Sequence, residues 1–397
     1  MASPRPSWQG TARAPIVRDR LAVAGESARE VTPLRVCMMV TYDLASPGGG
    51  VKQHALDLAA SLRRGGDEVT LVGPASASLD DPSVKTFRGV VNVPNNGSDN
   101  MLGLLVSPRA VARFFKDHPF DVIHIHEPLN PSLSYWTVWA TRHLPHVATF
   151  HAYAETESRL LQQTRRMSGT MIFPWIQRAI AVSQPAASYA SAAWRRPLAI
   201  IPNGVSSSLF TPPTTQHPSE TVRLLFVGRL GDRRKGARFL FDAYRGLIAR
   251  NLPVTLDVVG ELGDSPPPPA LPGLHYHGAV GVDRLTELYR QCDIFVAPST
   301  GQESFGIVLL EAMASAKPVV CSDIEGYRQV VKGTSAVLVP PSDAHALEEA
   351  LANLVQIDPT LLARQGALNR RVAESYEWDR LAGLVRAEYL AAIADHG

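Results

Sequence analysis

ESFGIVLLEAMASAKPVV, residues 303–320, is the segment of this 397-residue chain that best defines its fold. Glu303 precedes an apolar helical run, and Glu311 lies inside that run. The run then leads into a strand-like segment that begins at Pro318. With a rise of about 1.5 Å per helical residue, the two carboxylates are predicted to lie roughly 12 Å apart.

The polar residues of this segment indicate a binding site for a nucleotide sugar. Roughly 12 Å is the span from a hexose across a diphosphate to a ribose, so one carboxylate could bind each sugar. Residues 304–306 would place unpaired N–H groups and the positive end of the helix dipole against the diphosphate. The alternative is a helix with two incidental glutamates, and the rest of the sequence must decide between them.

Short apolar runs alternate with amphipathic segments on both sides of this segment. They lie at residues 34–41, 67–74, 121–126, 146–151 and 179–183, and again at 223–230, 255–261, 293–299, 318–323 and 336–341. Runs without in/out alternation are typical of parallel strands that are covered on both faces. Two such series predict an α/β protein with two doubly wound, Rossmann-like domains that face a central cleft.

The domain boundaries follow from composition and from the positions of the strands. Residues 1–33, rich in Arg, Ala, Pro and Ser, are predicted to be a flexible tail. Residues 34–205 form the predicted first domain, and residues 206–380 form the second. Residues 381–397 are predicted to be a helix that crosses back to the first domain.

Composition excludes several classes of protein. A formal charge of +2 provides no global field for nucleic acid, and three dispersed cysteines disfavour a disulfide scaffold or a zinc site. No run approaches about 18 apolar residues, and the amino terminus lacks a signal-like apolar stretch. These features predict a cytoplasmic protein, with contact at the inner face of the cell membrane as an option.

Two loops at strand ends carry candidate anion-binding groups. Gly49 and Gly50 follow the first strand and precede a helix, although they are not part of a GxGxxG motif, so a dinucleotide site is disfavoured. Arg229 and Lys235 follow the first strand of the second series and could together neutralise a diphosphate. Residues 233–234 between them are predicted to be solvated surface arginines.

Three histidines lie at the ends of the third and fourth strands. His124 and His126 share one face of their strand, and His151 ends the next one. A structural role is the alternative for each, and no HExxH-type metal pattern accompanies them. His151 is the functional candidate because the residues after it are expected to enter the cleft.

These motifs carry a family resemblance from residue 34 to the end. GRLGDRRKG (228–236), HGAV (277–280) and the segment from Cys292 onward resemble the retaining GT-B glycosyltransferases of family 4. PGGGVKQHALDLAASLRRGGDEVTLVGP (47–74), DVIHIHEPLNPSLS (121–134) and VATFH (147–151) match the same family in order. Within it, the chain is most similar to the phosphatidylinositol mannosyltransferases.

The resemblance implies roles for particular residues. Glu303 would bind the donor sugar, Glu311 the ribose, and Arg229 with Lys235 the diphosphate. The implied catalytic residues are His151, Arg229, Lys235 and Glu303. The implied donor-binding residues are Gly49, Gly50, Arg229, Lys235, Val280, Glu303, Ser304, Phe305, Gly306, Ile307 and Glu311. The implied acceptor-binding residues are Tyr42, Gly50, Asn130 and Tyr153.

The implied reaction moves mannose or glucose from GDP-mannose or a UDP-hexose to a hydroxyl of a lipid-linked or cyclitol acceptor. It would retain the anomeric configuration and need no metal or other cofactor. A nucleotide-sugar epimerase or hydrolase is the alternative enzyme, and a non-catalytic sugar-nucleotide binder is the alternative outside enzymes.

Two regions bear on the acceptor. The family places a phosphate-binding lysine near Thr156, whereas this chain has Glu155 and Glu157 there, and this acidic pair disfavours a phosphoinositide. Basic residues at 109, 113 and 116 surround Phe114 and Phe115. They could contact an anionic membrane, or they could form an ordinary solvated helix face.

Overall fold

The computed structural model describes residues 32–46, 49–95, 98–130, 133–154, 159–213 and 220–397. The predicted tail therefore lies outside the described residues, apart from its last two positions. The acidic pair Glu155 and Glu157 also lies outside them.

The first domain is built on a seven-stranded sheet in the order β3-β2-β1-β6-β7-β8-β9. All of its neighbouring strands pair in parallel. The strands of this half, including a separate antiparallel hairpin of β4 and β5, are β1 (Arg35–Val40), β2 (Glu68–Pro74), β3 (Val84–Phe87), β4 (Val91–Asn95), β5 (Ser98–Leu102), β6 (Val122–His126), β7 (His146–Phe150), β8 (Arg178–Ala181) and β9 (Ala199–Ile200).

The second domain is built on a six-stranded parallel sheet in the order β12-β11-β10-β13-β14-β15. Its strands are β10 (Val222–Val227), β11 (Val254–Val259), β12 (Leu274–Gly278), β13 (Ile294–Ala297), β14 (Val319–Ser322) and β15 (Val337–Val339). Two parallel sheets confirm the prediction of two doubly wound α/β domains.

Helices cover both sheets. They are α1 (Gly50–Arg64), α2 (Pro108–Asp117), α3 (Leu133–Ala140), α4 (Arg159–Ile172), α5 (Gln184–Ala190), α6 (Ala237–Ala249), α7 (Val282–Gln291), α8 (Ile307–Ala314), α9 (Glu325–Arg328), α10 (Ala344–Val355), α11 (Pro359–Ala373) and α12 (Trp378–His396). Helix α1 shows why they pack there: its apolar residues recur every three or four positions, so one face buries Ala55, Leu58 and Leu62.

Helix α12 packs on the first domain, although it follows the whole second domain in sequence. Leu381, Val385 and Tyr389 are buried in the same cluster as strands β1 and β2 and helix α1. The carboxyl terminus therefore ties the two domains together. The predicted domain boundaries at residues 205 and 380 stay predictions.

Helix α2 differs from the proposed membrane-contacting arrangement in one respect. Phe114 is buried in the first core, and Phe115 packs against that core from the outside. Arg109, Arg113 and Lys116 are exposed. The aromatic rings therefore anchor α2 to its own domain, while the cations face outward. Among the described helices, none is both long and apolar enough to cross a bilayer.

Candidate active site

The loop before α8 holds the first of the two signature carboxylates. Lys235 Nζ lies 2.7 Å from Glu303 Oε1, and both side chains are largely shielded from solvent. Gly306, with φ of 94°, is the residue before the helix, which begins at Ile307. The span of roughly 12 Å assumed a continuous helix, and this assumption is wrong for residues 303–306.

Helix α9 fixes the course of this loop. A Cβ added to Gly326 would lie 1.9 Å from the Glu303 carbonyl oxygen, so the two backbones touch. Tyr327 would similarly block a Cβ on Gly306, at 2.5 Å. Phe305 is buried beneath the loop, and Gln329 Nε2 donates a hydrogen bond to the Ser304 carbonyl. Residues 303–306, just before α8, are thus held rigidly against α9.

The basic loop after β10 differs in part from its prediction. Arg229 is exposed, as is Arg233. Arg234 is partly buried, and its guanidinium bonds the buried Asp232 through Nε at 2.9 Å and Nη2 at 2.5 Å. The prediction that Arg234 is a solvated surface residue is therefore wrong, because this ion pair forms a rigid turn just before Lys235.

Glu311 lies within α8 and is partly buried. The Tyr289 hydroxyl donates a hydrogen bond to Glu311 Oε2 at 2.8 Å. Burial raises the pKa of Glu311 to about 7, although this hydrogen bond opposes the shift. The carboxyl is therefore protonated in a substantial part of the molecules near neutral pH.

The glycine loop of the first domain, Gly49 and Gly50, lies close to the start of α8 in the second domain. A Cβ added to Gly50 would lie 3.7 Å from Ile307 Cδ1, so the starts of α1 and α8 face each other at close range. Gly49 precedes α1 with φ of 102°. Val280 packs against the same core cluster as Ile307. Of the predicted donor residues, the structure thus brings Gly50 and Ile307 together across the two domains, and the other donor-binding assignments stay predictions.

The predicted acceptor residues lie at the carboxyl ends of the first sheet. Asn130 Nδ2 donates to Thr41 Oγ1 at 2.9 Å. Tyr153 donates its hydroxyl across the cleft to Glu325 Oε2 at 3.3 Å. These residues share the cleft edge with the glycine loop.

His151 directly follows strand β7 and lies in a buried cluster. Its Nε2 lies 3.0 Å from Nδ1 of His126, and its backbone N–H donates to Glu127 Oε1 at 2.5 Å. The N–H of Ala152 donates to the same oxygen at 2.6 Å. Glu127 itself has a φ of 55°, an uncommon conformation for a non-glycine residue that is often kept at functional sites.

Helix α1 adds another imidazole to this cluster. His54 Nδ1 lies 2.7 Å from Asn203 Oδ1, and its ring contacts the ring of His151 edge on at 4.7 Å between centroids. Ring nitrogens of His54, His126 and His151 lie within 4.8 Å of one another, close enough to hold a transition-metal ion. The facing nitrogens of His126 and His151 lie at hydrogen-bond distance from each other, and an ion would have to displace this contact.

Several residues of the site escaped the sequence interpretation. Lys52 is buried on the first turn of α1 and donates to the Ser46 carbonyl. Burial lowers its pKa, which the carboxylates of Asp43 and Glu261 oppose. Lys52 could have been predicted from the sequence, because it is a cation only two residues after Gly50. Glu127, His54 and Asn203 had no comparable signal, since their partners are distant in sequence.

Comparison with known proteins identifies the class of protein. The family model described as "Glycosyltransferase Family 4" matches residues 48–209, and "Glycosyl transferases group 1" matches residues 221–356. A sucrose-phosphate synthase from Thermosynechococcus elongatus shares the fold with a TM-score of 0.71 at 21% identity, covering 91% of this chain and 100% of that one. An Anabaena protein crystallised with UDP-glucose gives 0.68 at 19% identity, covering 90% and 100%. The protein is thus a glycosyltransferase with the GT-B fold.

Curated relatives extend along nearly the whole chain. Phosphatidyl-myo-inositol mannosyltransferase of Mycobacterium leprae is 34% identical over 370 residues, covering 90% of this chain and 96% of the relative. The protein of the same name from Mycolicibacterium smegmatis is 34% identical over 366 residues, covering 90% and 93%. The chain belongs to the group 1 glycosyltransferases of family 4, which confirms the predicted family and fold.

Proposed function

We propose that this glycosyltransferase moves mannose from GDP-mannose, with retention of configuration, to a hydroxyl of an inositol ring in a lipid or a free cyclitol. The observation that carries the proposal is the Lys235–Glu303 pair, in which Glu303 lies in the loop that leads into α8. The names of the relatives at 34% identity support mannose and an inositol lipid, whereas the acidic residues Glu155 and Glu157 disfavour the phosphate of such a lipid. A more distant relative, 26% identical over 95% of this chain, is a D-inositol 3-phosphate glycosyltransferase, which supports a cyclitol acceptor.

Binding of the donor would separate Lys235 from Glu303, and each side chain would then contact a different part of the donor. The Lys235 ammonium is suited to the diphosphate, and the Glu303 carboxylate is suited to accept hydrogen bonds from sugar hydroxyls. As the bond from the anomeric carbon to phosphate oxygen breaks, negative charge grows on the leaving GDP. Lys235, Arg229 and the N–H groups at the start of α8 would stabilise that charge.

Retention would follow from a reaction on one face of the sugar. The acceptor oxygen bonds the anomeric carbon on the face that GDP leaves, and its proton passes to a phosphate oxygen of GDP. The Glu127 carboxylate is ill suited as a nucleophile, since one of its oxygens already accepts two backbone hydrogen bonds. His151 would instead orient the sugar. No step requires a metal ion.

Membrane association is a further part of the proposal. The exposed cations of α2 would hold the enzyme against the inner, anionic face of the cell membrane, where a lipid acceptor is presented. A soluble cyclitol would need no such contact.

A panel of donors and acceptors tests the reaction. GDP-mannose, UDP-glucose and other UDP-hexoses are each offered with phosphatidylinositol, free inositol or a cell lipid extract, with and without EDTA, and products are detected by mass spectrometry. We expect a mannosylated product from GDP-mannose, and we expect EDTA to leave the amount of this product unchanged. Product from a UDP-hexose alone would overturn the donor, and donor loss without a glycosylated product would indicate a hydrolase or epimerase.

Substitution of the ion pair tests the assigned residues. Lys235→Ala should lower kcat by about 10² to 10³, the effect of losing one preorganised electrostatic contact to the leaving group. Glu303→Ala should be similarly damaging, while Arg233→Ala, an exposed neighbour, should leave kcat unchanged. Turnover near the wild-type rate in either ion-pair variant would remove the assignment.

A further inference from the structure

Four histidine rings form a cluster near the carboxyl ends of β6 and β7. His124 and His126 lie with ring centroids 4.3 Å apart, and His126 and His151 lie 5.3 Å apart. His54 of α1 covers His151 from the side. The proposed function assigns a role to His151 and leaves the other three without one.

The hydrogen bonds of three rings are well defined. Both nitrogens of His124 are engaged at 2.7 Å, Nδ1 with the Tyr389 hydroxyl and Nε2 with Thr149 Oγ1. His126 Nδ1 faces His151 Nε2. His126 Nε2 is buried and has no hydrogen-bond partner in the described part of the chain. Among the described residues, none forms a hydrogen bond with His151 Nδ1.

The cluster is uncharged. Burial holds the pKa values of His126 and His151 well below the ordinary value for histidine, and the neighbouring imidazoles lower them further. Each of the two rings therefore carries one ring proton, and the contact between them allows two arrangements. Either His126 donates from Nδ1, or His151 donates from Nε2.

The unpartnered nitrogen of His126 distinguishes the two arrangements. If His151 donated, His126 would carry its own proton on Nε2, which would leave a buried N–H without an acceptor. If His126 donates from Nδ1, Nε2 keeps only an unpaired lone pair. A buried donor without a partner is rarer and more costly than a buried acceptor without one.

We propose that His126 is a positioning residue, which donates its Nδ1 proton to His151 Nε2 and so holds His151 as the tautomer protonated on Nδ1. His151 then presents an N–H donor to an oxygen of the donor sugar and cannot accept a proton at that atom. Glu127 complements this arrangement, because its carboxylate accepts a hydrogen bond from the backbone N–H of His151 and so fixes that backbone. The proposal rests on the proposed function for the role of His151 toward the sugar.

The tautomer can be read directly by NMR, without turnover. The full chain is labelled with ¹⁵N-histidine, and the His151 signals are assigned by their loss in His151→Gln. We expect a protonated-type shift for Nδ1 and an unprotonated-type shift for Nε2. Protonation of His151 on Nε2, or on both nitrogens, would overturn the proposal even if the sugar transferred proves to be different.

The steady-state kinetics of two variants at position 126 test whether the tautomer of His151 affects turnover. Asparagine at position 126 can place an amide N–H near the position of Nδ1, whereas leucine cannot donate. We expect His126→Leu to lower kcat by about 10- to 100-fold, the effect of a misaligned group, with the donor KM nearly unchanged. His126→Asn should recover most of the loss.

His146→Leu is the matched control. His146 is also fully buried, and one of its ring nitrogens also lacks a partner among the described residues, but it lies at the opposite end of β7. This variant should keep the wild-type kcat, and thermal unfolding verifies the fold of all three. Equal losses in His126→Asn and His126→Leu, or none in either, would reduce His126 to a structural role. Absence of turnover in wild type with every donor would refute the proposed function instead, and the NMR result would still decide the tautomer.

Discussion

At the scale of single residues, the protonation state of Glu311 in the free protein differs from the state that a bound nucleotide would favour. Burial favours the neutral form of Glu311, whereas the ribose contact that we propose for it favours the ionised form, because a carboxylate accepts hydrogen bonds from two hydroxyls better than a carboxylic acid does. Binding of a nucleotide would therefore be linked to release of a proton from Glu311.

This linkage predicts a pH dependence of GDP affinity. The folded-state pKa of Glu311 is raised to about 7, so its ionised form is lost as pH falls through that value, and affinity should fall with it. Tyr289→Phe removes a hydrogen bond that lowers this pKa, so the midpoint should move to higher pH. Calorimetric titration of GDP at several pH values measures both.

Glu311→Gln is the control for this titration. It cannot ionise, so its GDP affinity should be weaker and should show only the pH dependence of GDP itself. Because GDP ionises identically in every titration, differences between variants belong to the protein. Identical pH profiles for wild type and Glu311→Gln would exclude the linkage.

The sequence predicted residues whose chemistry is carried by a local motif. Glu303, Lys235 and Gly50 lie at strand or helix ends, and their proximity follows from the topology of parallel sheets. His54 and Asn203 lie 149 residues apart and meet through tertiary packing alone. The raised pKa of Glu311 likewise depends on Tyr289 and on burial, neither of which is visible in a local pattern.

At the scale of elements, strands were predictable where they were buried on both faces. The ten predicted strands correspond to observed strands within a few residues at each end. Five strands were missed. Strands β3, β9 and β12 each lie at an edge of a sheet, and β4 and β5 form a separate hairpin, so none of them has the continuous apolar run of a strand that is buried on both faces. Helix α8 begins at Ile307 rather than directly after Glu303, because Gly306 adopts a left-handed conformation.

The turn after β10 gives a prediction at this scale. Arg234→Ala would leave the Asp232 carboxylate buried without its cation, and it would release the turn that carries Lys235. Breaking a buried ion pair costs about 3 kcal/mol or more, and partial exposure of Arg234 brings the expected loss to about 2 to 4 kcal/mol. Urea unfolding measures this loss. Arg233→Ala should change stability by less than about 0.5 kcal/mol, and equal values for the two variants would contradict the structural role.

At the scale of the whole molecule, the chain crosses between domains twice, and the two crossings lie against each other. The backbone N–H of Val205 bonds the Tyr376 carbonyl at 2.9 Å, and Ser207 N donates to Glu377 Oε1 at 2.9 Å. Trp378 follows directly and contacts the His54 ring at 4.9 Å between centroids. A change in the relative position of the domains would therefore reach the histidine cluster through these two segments.

Gly204 is the point at which this contact is tightest. A Cβ at position 204 would lie 2.4 Å from Trp378 Cδ2, so Gly204→Ala must displace a buried indole. Overpacking of this kind costs about 1 to 3 kcal/mol, and we expect turnover to fall as well, since Trp378 supports His54. Gly383→Ala is the matched control within α12: nothing lies within 4 Å of its added Cβ, so it should stabilise the protein by about 0.5 to 1 kcal/mol. Urea unfolding and initial rates of the two variants test the coupling, which would be refuted if Gly204→Ala lost stability but kept the kcat of wild type.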